Sequence, residues 1–369
     1  MKIAIMAPLV TAIREPQLGG SQAFVSDLAR GLTGRGHDVH VYAASGSEIP
    51  GVEVIDTGID PRSLAGTLYR ASGPSAGPAA SASAASPAAA SVAAAEAAFT
   101  TAYMTMQVIR YDVIHNHAFD APAVRLASVL QAPVVHTVHL PPDQAVSAAL
   151  RQVTRSSRPP AVAAVSEFQA RAWRRVIRVD AVLPPYPPTG AISWSPAAGH
   201  GALFAGRLSP EKGAAEAIEI ARAAGVPIDV YGDVYDPAYC QEQIDPRRSW
   251  SGVSVHEGVP RALLWEAMAR TAVVLFPARW DEPFGMAAAE AQACGTPVVA
   301  FRRGGLSEVV EDGMTGYLVP PDDLPAAAEA VSKLAEISRS ACRKHAEEKL
   351  DMELSLDAHE SLYRRVAGE

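Results

Sequence analysis

Lysine, cysteine and long apolar stretches are what this chain has least of, and each shortage excludes something. Five of its 32 basic residues are lysines (Lys2, Lys212, Lys333, Lys344, Lys349), so a lysine inside a motif stands out. The three cysteines, Cys240, Cys294 and Cys342, match no zinc spacing, and an odd count gives no disulfide framework. They read as small apolar side chains in a reducing compartment. No run approaches the ~20 apolar residues that span a bilayer. Met1–Ala7, one charge and then a short apolar run, reads as a first buried strand rather than a secretion signal. A cytoplasmic protein without a membrane span is expected, with peripheral membrane contact left open and either a monomer or a homodimer. No Asp-x-Asp occurs, and the histidines at 115, 117, 136 and 139 have no carboxylate or thiol at ligand spacing, so no metal is expected in catalysis.

What is present is a globular composition, 49% hydrophobic and 20% charged over 369 residues, enough for two α/β domains. A net charge of −8 argues against a nucleic-acid binder while leaving a local cationic pocket open. Ile3–Ala7 reads as a strand, Gly19-Gly20 as a tight loop, and the stretch from Ser21 as a helix with Phe24, Leu28 and Leu32 on one face. Val39–Ala43, Asp112–His115, Pro133–Val138 and Ala161–Val165 read as further strands. A proline-rich linker over Leu183–Pro196 precedes a second series at Ala202–Ala205, Ile228–Tyr231, Val273–Phe276, Pro297–Phe301 and Gly316–Val319. The Ser/Ala/Pro/Gly-rich segment 72–94 reads as a mobile loop ending in a helix start, either an inert insertion or a lid. The last helix, Asp351–Ala367, is long enough to return to the first domain. Residues 1–190 with helix 351–369 are therefore expected to form one Rossmann-like domain, and 191–350 a second.

Three strings carry chemistry. Trp280-Asp281-Glu282-Pro283-Phe284-Gly285-Met286-Ala287 follows a strand end, placing Glu282 at the carboxyl edge of a sheet. Gly285 begins a helix whose free N–H groups can receive phosphate or sugar oxygens. Glu290 is eight positions on, on the order of 12 Å along a helix, too wide for a glycosidase carboxylate pair at ~5–9.5 Å. Two carboxylates so spaced suit opposite ends of an extended ligand such as a sugar–diphosphate–ribose; alone, they would read as solvated charges. In the second string, Phe204-Ala205-Gly206-Arg207-Leu208-Ser209-Pro210-Glu211-Lys212-Gly213, two cations beside a helix start suit a diphosphate. An Arg207–Glu211 surface pair with Lys212 in solvent is the plainer alternative. Third, Gly19-Gly20 lets backbone approach a phosphate, although no G-x-G-x-x-G is present. His139 ends its strand and would be aimed into a cleft; His117 reads equally well as core.

These strings resemble the family 4 glycosyltransferases of the GT-B fold, whose mark is Glu-x(7)-Glu. The likeness extends through Arg35-Gly36-His37-Asp38-Val39, Thr137-Val138-His139, Val165-Ser166-Glu167 and Gly304-Gly305-Leu306-Ser307-Glu308. It implies two Rossmann-like doubly wound domains facing a central cleft, with the C-terminal helix packing back on the first. It also implies retaining, metal-independent transfer of a sugar from a nucleoside-diphosphate sugar, a co-substrate rather than a cofactor, to a hydroxyl acceptor. Arg207 and Lys212, beside Gly206, would meet the diphosphate, and Glu290 the ribose. Glu282, with N–H groups from Phe284, Gly285, Met286 and Ala287, would hold the transferred sugar. Gly19 and Gly20 would approach the diphosphate, Val259 and Arg261 would face the base, and His139 would lie over the donor sugar. His117 and Ser166 are the candidate acceptor contacts. The chain departs from the pattern at Gln22, where many relatives carry Glu, and at Leu183–Pro188, which replaces the usual string before the linker. UDP is the expected nucleotide, GDP next. A sugar-nucleotide epimerase or hydrolase and a non-catalytic binder are the alternatives.

Overall fold

The computed structural model describes residues 1–17, 19–67, 87–197 and 199–368. Residues 72 to 86 of the segment read as a mobile loop lie outside the described residues. The chain divides into two compact units: residues 1–14, 20–184 and 355–369 form unit 1, and 15–19 with 185–354 form unit 2.

Unit 1 is built on a seven-stranded parallel sheet in the order β3-β2-β1-β4-β5-β6-β7. The strands are β1 Lys2–Met6, β2 Asp38–Ala43, β3 Glu53–Asp56, β4 Val113–Asn116, β5 Val134–Val138, β6 Ala161–Ala164 and β7 Ala181–Val182. The central strands are short and apolar, as a sheet covered on both faces requires. Its helices are α1 Gly20–Gly34, α2 Pro87–Val108, α3 Ala121–Leu126, α4 Gln144–Val153 and α5 Glu167–Trp173. Asp143 caps α4, its carboxylate accepting the N–H groups of Ala145 and Val146 at 2.8 and 3.0 Å.

Unit 2 has six parallel strands in the order β10-β9-β8-β11-β12-β13, namely β8 Ala202–Ala205, β9 Ile228–Tyr231, β10 Val253–His256, β11 Val273–Phe276, β12 Val298–Phe301 and β13 Gly316–Val319. Between them run α6 Ala214–Ala223, α7 Pro237–Tyr239, α8 Arg261–Arg270, α9 Met286–Ala293 and α10 Leu306–Val309, and after β13 come α11 Leu324–Ser332 and α12 Arg339–Lys349. In both sheets the chain winds outward in one direction, returns to the middle and winds outward in the other. That is the doubly wound arrangement.

The last helix, α13 Met352–Ala367, leaves unit 2 and lies mostly in unit 1. Its inner face reaches β4, where the Tyr363 hydroxyl sits 2.6 Å from His115 Nδ1. Just beyond α1, Arg35 pairs with Asp357 at 2.7 Å and His37 with Glu360 at 2.9 Å. Leu356 lies so close to Gly31 that a β-carbon there would come within 2.7 Å of it. The C-terminal helix therefore does close the first domain. No helix among the described residues is long and apolar enough to cross a membrane.

Candidate functional site

In unit 2 the winding direction reverses between β8 and β11, the place where doubly wound sheets take ligands beyond their carboxyl ends. Loops 206–213 and 277–285 leave these paired strands and are tied together by their backbones. Arg279 N–H donates to Glu211 O at 2.9 Å. Gly213 is left-handed (φ 78°), and a β-carbon on it would stand 2.1 Å from Pro277 O. Only glycine fits there. Gly213 and Gly285 (φ 103°) precede α6 and α9. The Tyr239 hydroxyl accepts the Ala215 N–H in the first turn of α6 at 2.9 Å, whereas no side chain caps the start of α9.

Between these loops the opposite charges meet. Glu282, 8% exposed, accepts on Oε2 from Lys212 Nζ at 2.7 Å and from Trp280 Nε1 at 2.8 Å. The Lys212 ammonium also lies 5.1 Å from the Trp280 ring centroid, a cation–π distance. Arg207 holds Glu211 at 3.3 Å, with its guanidinium 4.2 Å from the Tyr235 ring centroid. The plainer alternative for the second string is thus half present: Arg207 has its Glu211 partner, but Lys212 is in an ion pair and not in solvent.

A second buried pair lies in the same unit. Arg261, the first residue of α8, donates from Nε and Nη2 to Glu290 Oε1 at 3.0 and 2.6 Å. Glu290 is 5% exposed. The Arg261 guanidinium lies 4.8 Å from the Trp265 ring centroid, and its backbone N–H donates to Glu15 Oε2 at 3.1 Å. Glu15 thereby serves the helix start that Pro260 cannot cap.

The geometry of α9 is imposed from both ends. Gly305 N–H donates to Glu282 O at 2.7 Å. At the far end, Arg343 Nη1 donates to Ala293 O at 2.7 Å and Arg339 Nη2 to Cys294 O at 3.4 Å; Arg339 also ties in the end of α8, through the carbonyls of Ala269 and Thr271 at 2.7 and 2.8 Å. Buried cations at a helix C-terminus satisfy orphan carbonyls and complement its dipole. Gly304 (φ 60°) is packed against the Glu282 loop so closely that a β-carbon would sit 2.1 Å from Glu282 O. Gly304→Ala must therefore push the Glu282 backbone aside. Turnover is expected to fall about 100-fold, the effect of a ~1 Å misplacement, with the far-ultraviolet circular dichroism unchanged. Activity within twofold of wild type would show that Glu282 does not need this placement.

In unit 1 the reversal falls between β1 and β4, and Gly20 and His117 follow these strands in the chain. Gly20 is the first residue of α1. His117 Nδ1 lies 3.0 Å from His139 Nε2, and the His115 and His117 ring centroids are 4.0 Å apart. His115 is held at both nitrogens, by the hydroxyls of Tyr363 and Thr137 at 2.6 and 2.7 Å. His359 joins the cluster, its centroid 5.6 Å from that of His115. Burial pushes His136 down to about 3 and His139 and His359 to about 4. It also holds His115 and His117 well below the ordinary imidazole value, aided by the neighbouring rings. All five are neutral in the folded unit at pH 7.

Arg207, Lys212, Glu282, Phe284 and Gly285 thus come from two adjoining loops of unit 2, with Gly206 at the root of the first and Met286 and Ala287 opening α9 after the second; Glu290, Arg261 and Val259 also belong to that unit. Three readings need correction. Ser166 is fully buried, and its hydroxyl caps α5 by accepting Gln169 N–H at 3.1 Å, so it is engaged in structure rather than presented to an acceptor. His117 is likewise fully buried within the histidine cluster. The 12 Å spacing of the glutamates along a helix also fails in its premise, because α9 starts only at Met286 and Glu282 lies in the loop before it. Trp280 was in view within its string but unassigned, and nothing in the sequence pointed to Glu15 or His359.

The family description "Glycosyl transferases group 1" matches residues 200–349, and "Glycosyltransferase Family 4" matches residues 18–185. D-inositol 3-phosphate glycosyltransferase of Mycobacterium tuberculosis (strain H37Rv) is 41% identical over 99 residues, 24% of this chain. That match spans only 20% of the relative's own length. Among solved structures, sucrose-phosphate synthase from Thermosynechococcus elongatus superposes with a TM-score of 0.77 at 18% identity, covering 99% of both chains. A glycosyltransferase involved in avilamycin A biosynthesis gives 0.69 at 22% identity, covering 100% of this chain and 98% of that one. Anabaena HepE, in complex with UDP and glucose, gives 0.69 at 21%, covering 98% and 99%. At these identities the structural likeness establishes the fold.

Proposed function

Because the chain belongs to the family 4 glycosyltransferases of the GT-B fold, we propose that it moves a hexose-type sugar from a nucleoside-diphosphate sugar to a hydroxyl acceptor with retention. The observation that carries this reading is the Lys212–Glu282 pair at the β8/β11 switch, in the loops that lead to the uncapped start of α9. An ammonium next to free amides suits a diphosphate, and a carboxylate beside it suits sugar hydroxyls. In the proposed reaction the bond from the anomeric carbon to the diphosphate oxygen breaks. Lys212, Arg207 and the amides at the start of α9 take up the charge on the departing oxygen. The acceptor oxygen bonds to the same face of that carbon, and its proton passes to the leaving diphosphate. No side chain serves as nucleophile, and the sugar nucleotide is a co-substrate.

UDP is the favoured nucleotide, GDP the next; the UDP and glucose complex of HepE supports the first. A small hydroxylated acceptor is supported by the inositol-phosphate relative and by the avilamycin-pathway structure. The test is a panel of UDP, GDP, ADP and dTDP sugars, screened by thermal shift and then by turnover with EDTA present, since a ligand of the folded state raises its midpoint. One nucleotide class is expected to stabilise the protein and to support transfer in EDTA. Free sugar released without an acceptor would point to a hydrolase, and no stabilisation by any member would end the reading. In the same panel Glu290→Gln is expected to weaken the preferred nucleotide about tenfold, as for a lost charged hydrogen bond, and to leave a 2′,3′-dideoxy analogue unaffected. Equal loss for both would remove Glu290 from the ribose.

A further inference from the structure

Trp280 donates to the same Glu282 oxygen that Lys212 occupies, and this sharing has a thermodynamic consequence. Resting on the donor site proposed above, we propose that Trp280 is a positioning residue that holds Glu282 while Lys212 exchanges from carboxylate to diphosphate. Lys212 Nζ and Trp280 Nε1 reach Glu282 Oε2 at 2.7 and 2.8 Å. A diphosphate bears more negative charge than one carboxylate and draws the ammonium towards itself. Glu282 is 8% exposed, so water does not readily replace the departed cation, and a buried carboxylate that loses its partner is strongly disfavoured. The indole N–H remains on that oxygen through the exchange. When a sugar is present, its hydroxyls supply the missing donors.

Trp280 therefore matters more to the free nucleotide than to the intact donor, because only the former leaves Glu282 without sugar hydroxyls. That sets the ratio in which product and donor compete for the site. A residue that only packed beneath Lys212 would affect both ligands alike.

Trp280→Phe keeps a ring under the ammonium and removes the N–H. Calorimetry without acceptor, using the free nucleoside diphosphate and the intact donor selected by the panel, is expected to show affinity for the diphosphate falling about tenfold, the loss of one charge-assisted hydrogen bond. Affinity for the donor is expected to fall less than about threefold, because its sugar hydroxyls make good the loss. In a Glu282→Gln background, where no buried charge needs holding, adding Trp280→Phe should change diphosphate affinity by less than about twofold. Equal shifts for the two ligands, or no shift in either, overturn the proposal. A wild type that binds no nucleoside diphosphate overturns the donor-site reading itself, and that titration is made before any variant is compared.

Discussion

Lys212→Met is expected to lower turnover by about 100- to 1000-fold, the scale on which removing one preorganised group beside a developing anion acts. The side chain it removes is the cation closest to Glu282, at 2.7 Å, and it is seated over the Trp280 ring. Arginine is not a conservative replacement, because a planar fork cannot take the place of a compact ammonium between a carboxylate and an indole face. Methionine keeps the volume and the apolar contact with Trp280, but leaves Glu282 buried without its countercharge. Some loss of stability is therefore expected as well. The two effects separate by measuring turnover well below the variant's own melting midpoint and by titrating nucleotides in parallel. Affinity for a nucleoside diphosphate should fall steeply while that for the parent nucleoside holds. Lys333→Met, which removes an exposed pair with Glu329, serves as the control and should change nothing. Turnover of Lys212→Met within tenfold of wild type would remove Lys212 from the leaving-group role.

The second large effect is on pH. Unit 1 should lose stability steeply on mild acidification, ahead of unit 2. Its five clustered histidines, His115, His117, His136, His139 and His359, are all held below the ordinary imidazole value by burial. In the unfolded chain each titrates near ~6.5. From that pH downward the unfolded chain takes up protons that the folded unit refuses until about pH 4 or below. Stability is thus complete above ~6.5 and is lost as the pH falls through the window beneath it. Each group contributes at most about 1.4 kcal/mol per pH unit, a slope approached only well below ~6.5, so the five together contribute on the order of several kcal/mol between pH 7.5 and 5.5, a large share of the roughly 5–15 kcal/mol of a whole domain. Nε2 of His117 and of His359 are both buried and without a hydrogen-bond partner, so neither has an acceptor waiting for an added proton.

Trp173 is the one tryptophan in unit 1 and is fully buried. A variant in which Trp194, Trp250, Trp265 and Trp280 are replaced by Phe would let its emission report that unit alone. In urea at pH 7.5 and 5.5, the Trp173 transition is expected to move to much lower denaturant at the lower pH. An unchanged midpoint would mean that the cluster is hydrated and titrates normally.

Much of this architecture can be read from the chain. Parallel strands buried on both faces become runs such as Val273–Phe276 and Val298–Phe301, whose boundaries the structure keeps almost unaltered. Strands at the sheet margins, Glu53–Asp56, Val253–His256 and Ala181–Val182, were missed because they are half-exposed or very short and lack that continuous apolar signature. The donor loops were legible because glycine, proline and charge are concentrated there in fixed order. Ser166 was misread for the converse reason. A serine following a strand has the same appearance in sequence whether it caps a helix or is presented to a ligand.

The sequence alone determined the two doubly wound halves and the residues gathered at their glycine-rich loops, because periodicity and left-handed positions are local properties of the chain. Only the tertiary structure decided which charge meets which. Lys212 and Glu282 stand seventy positions apart and Arg261 and Glu290 twenty-nine, and β8 and β11 become neighbours only through the order of strands in a sheet. His359 likewise joins His115 from the far end of the chain because α13 lies in unit 1. Partnerships of this kind depend on packing against distant strands and helices, and no local pattern of residues encodes them.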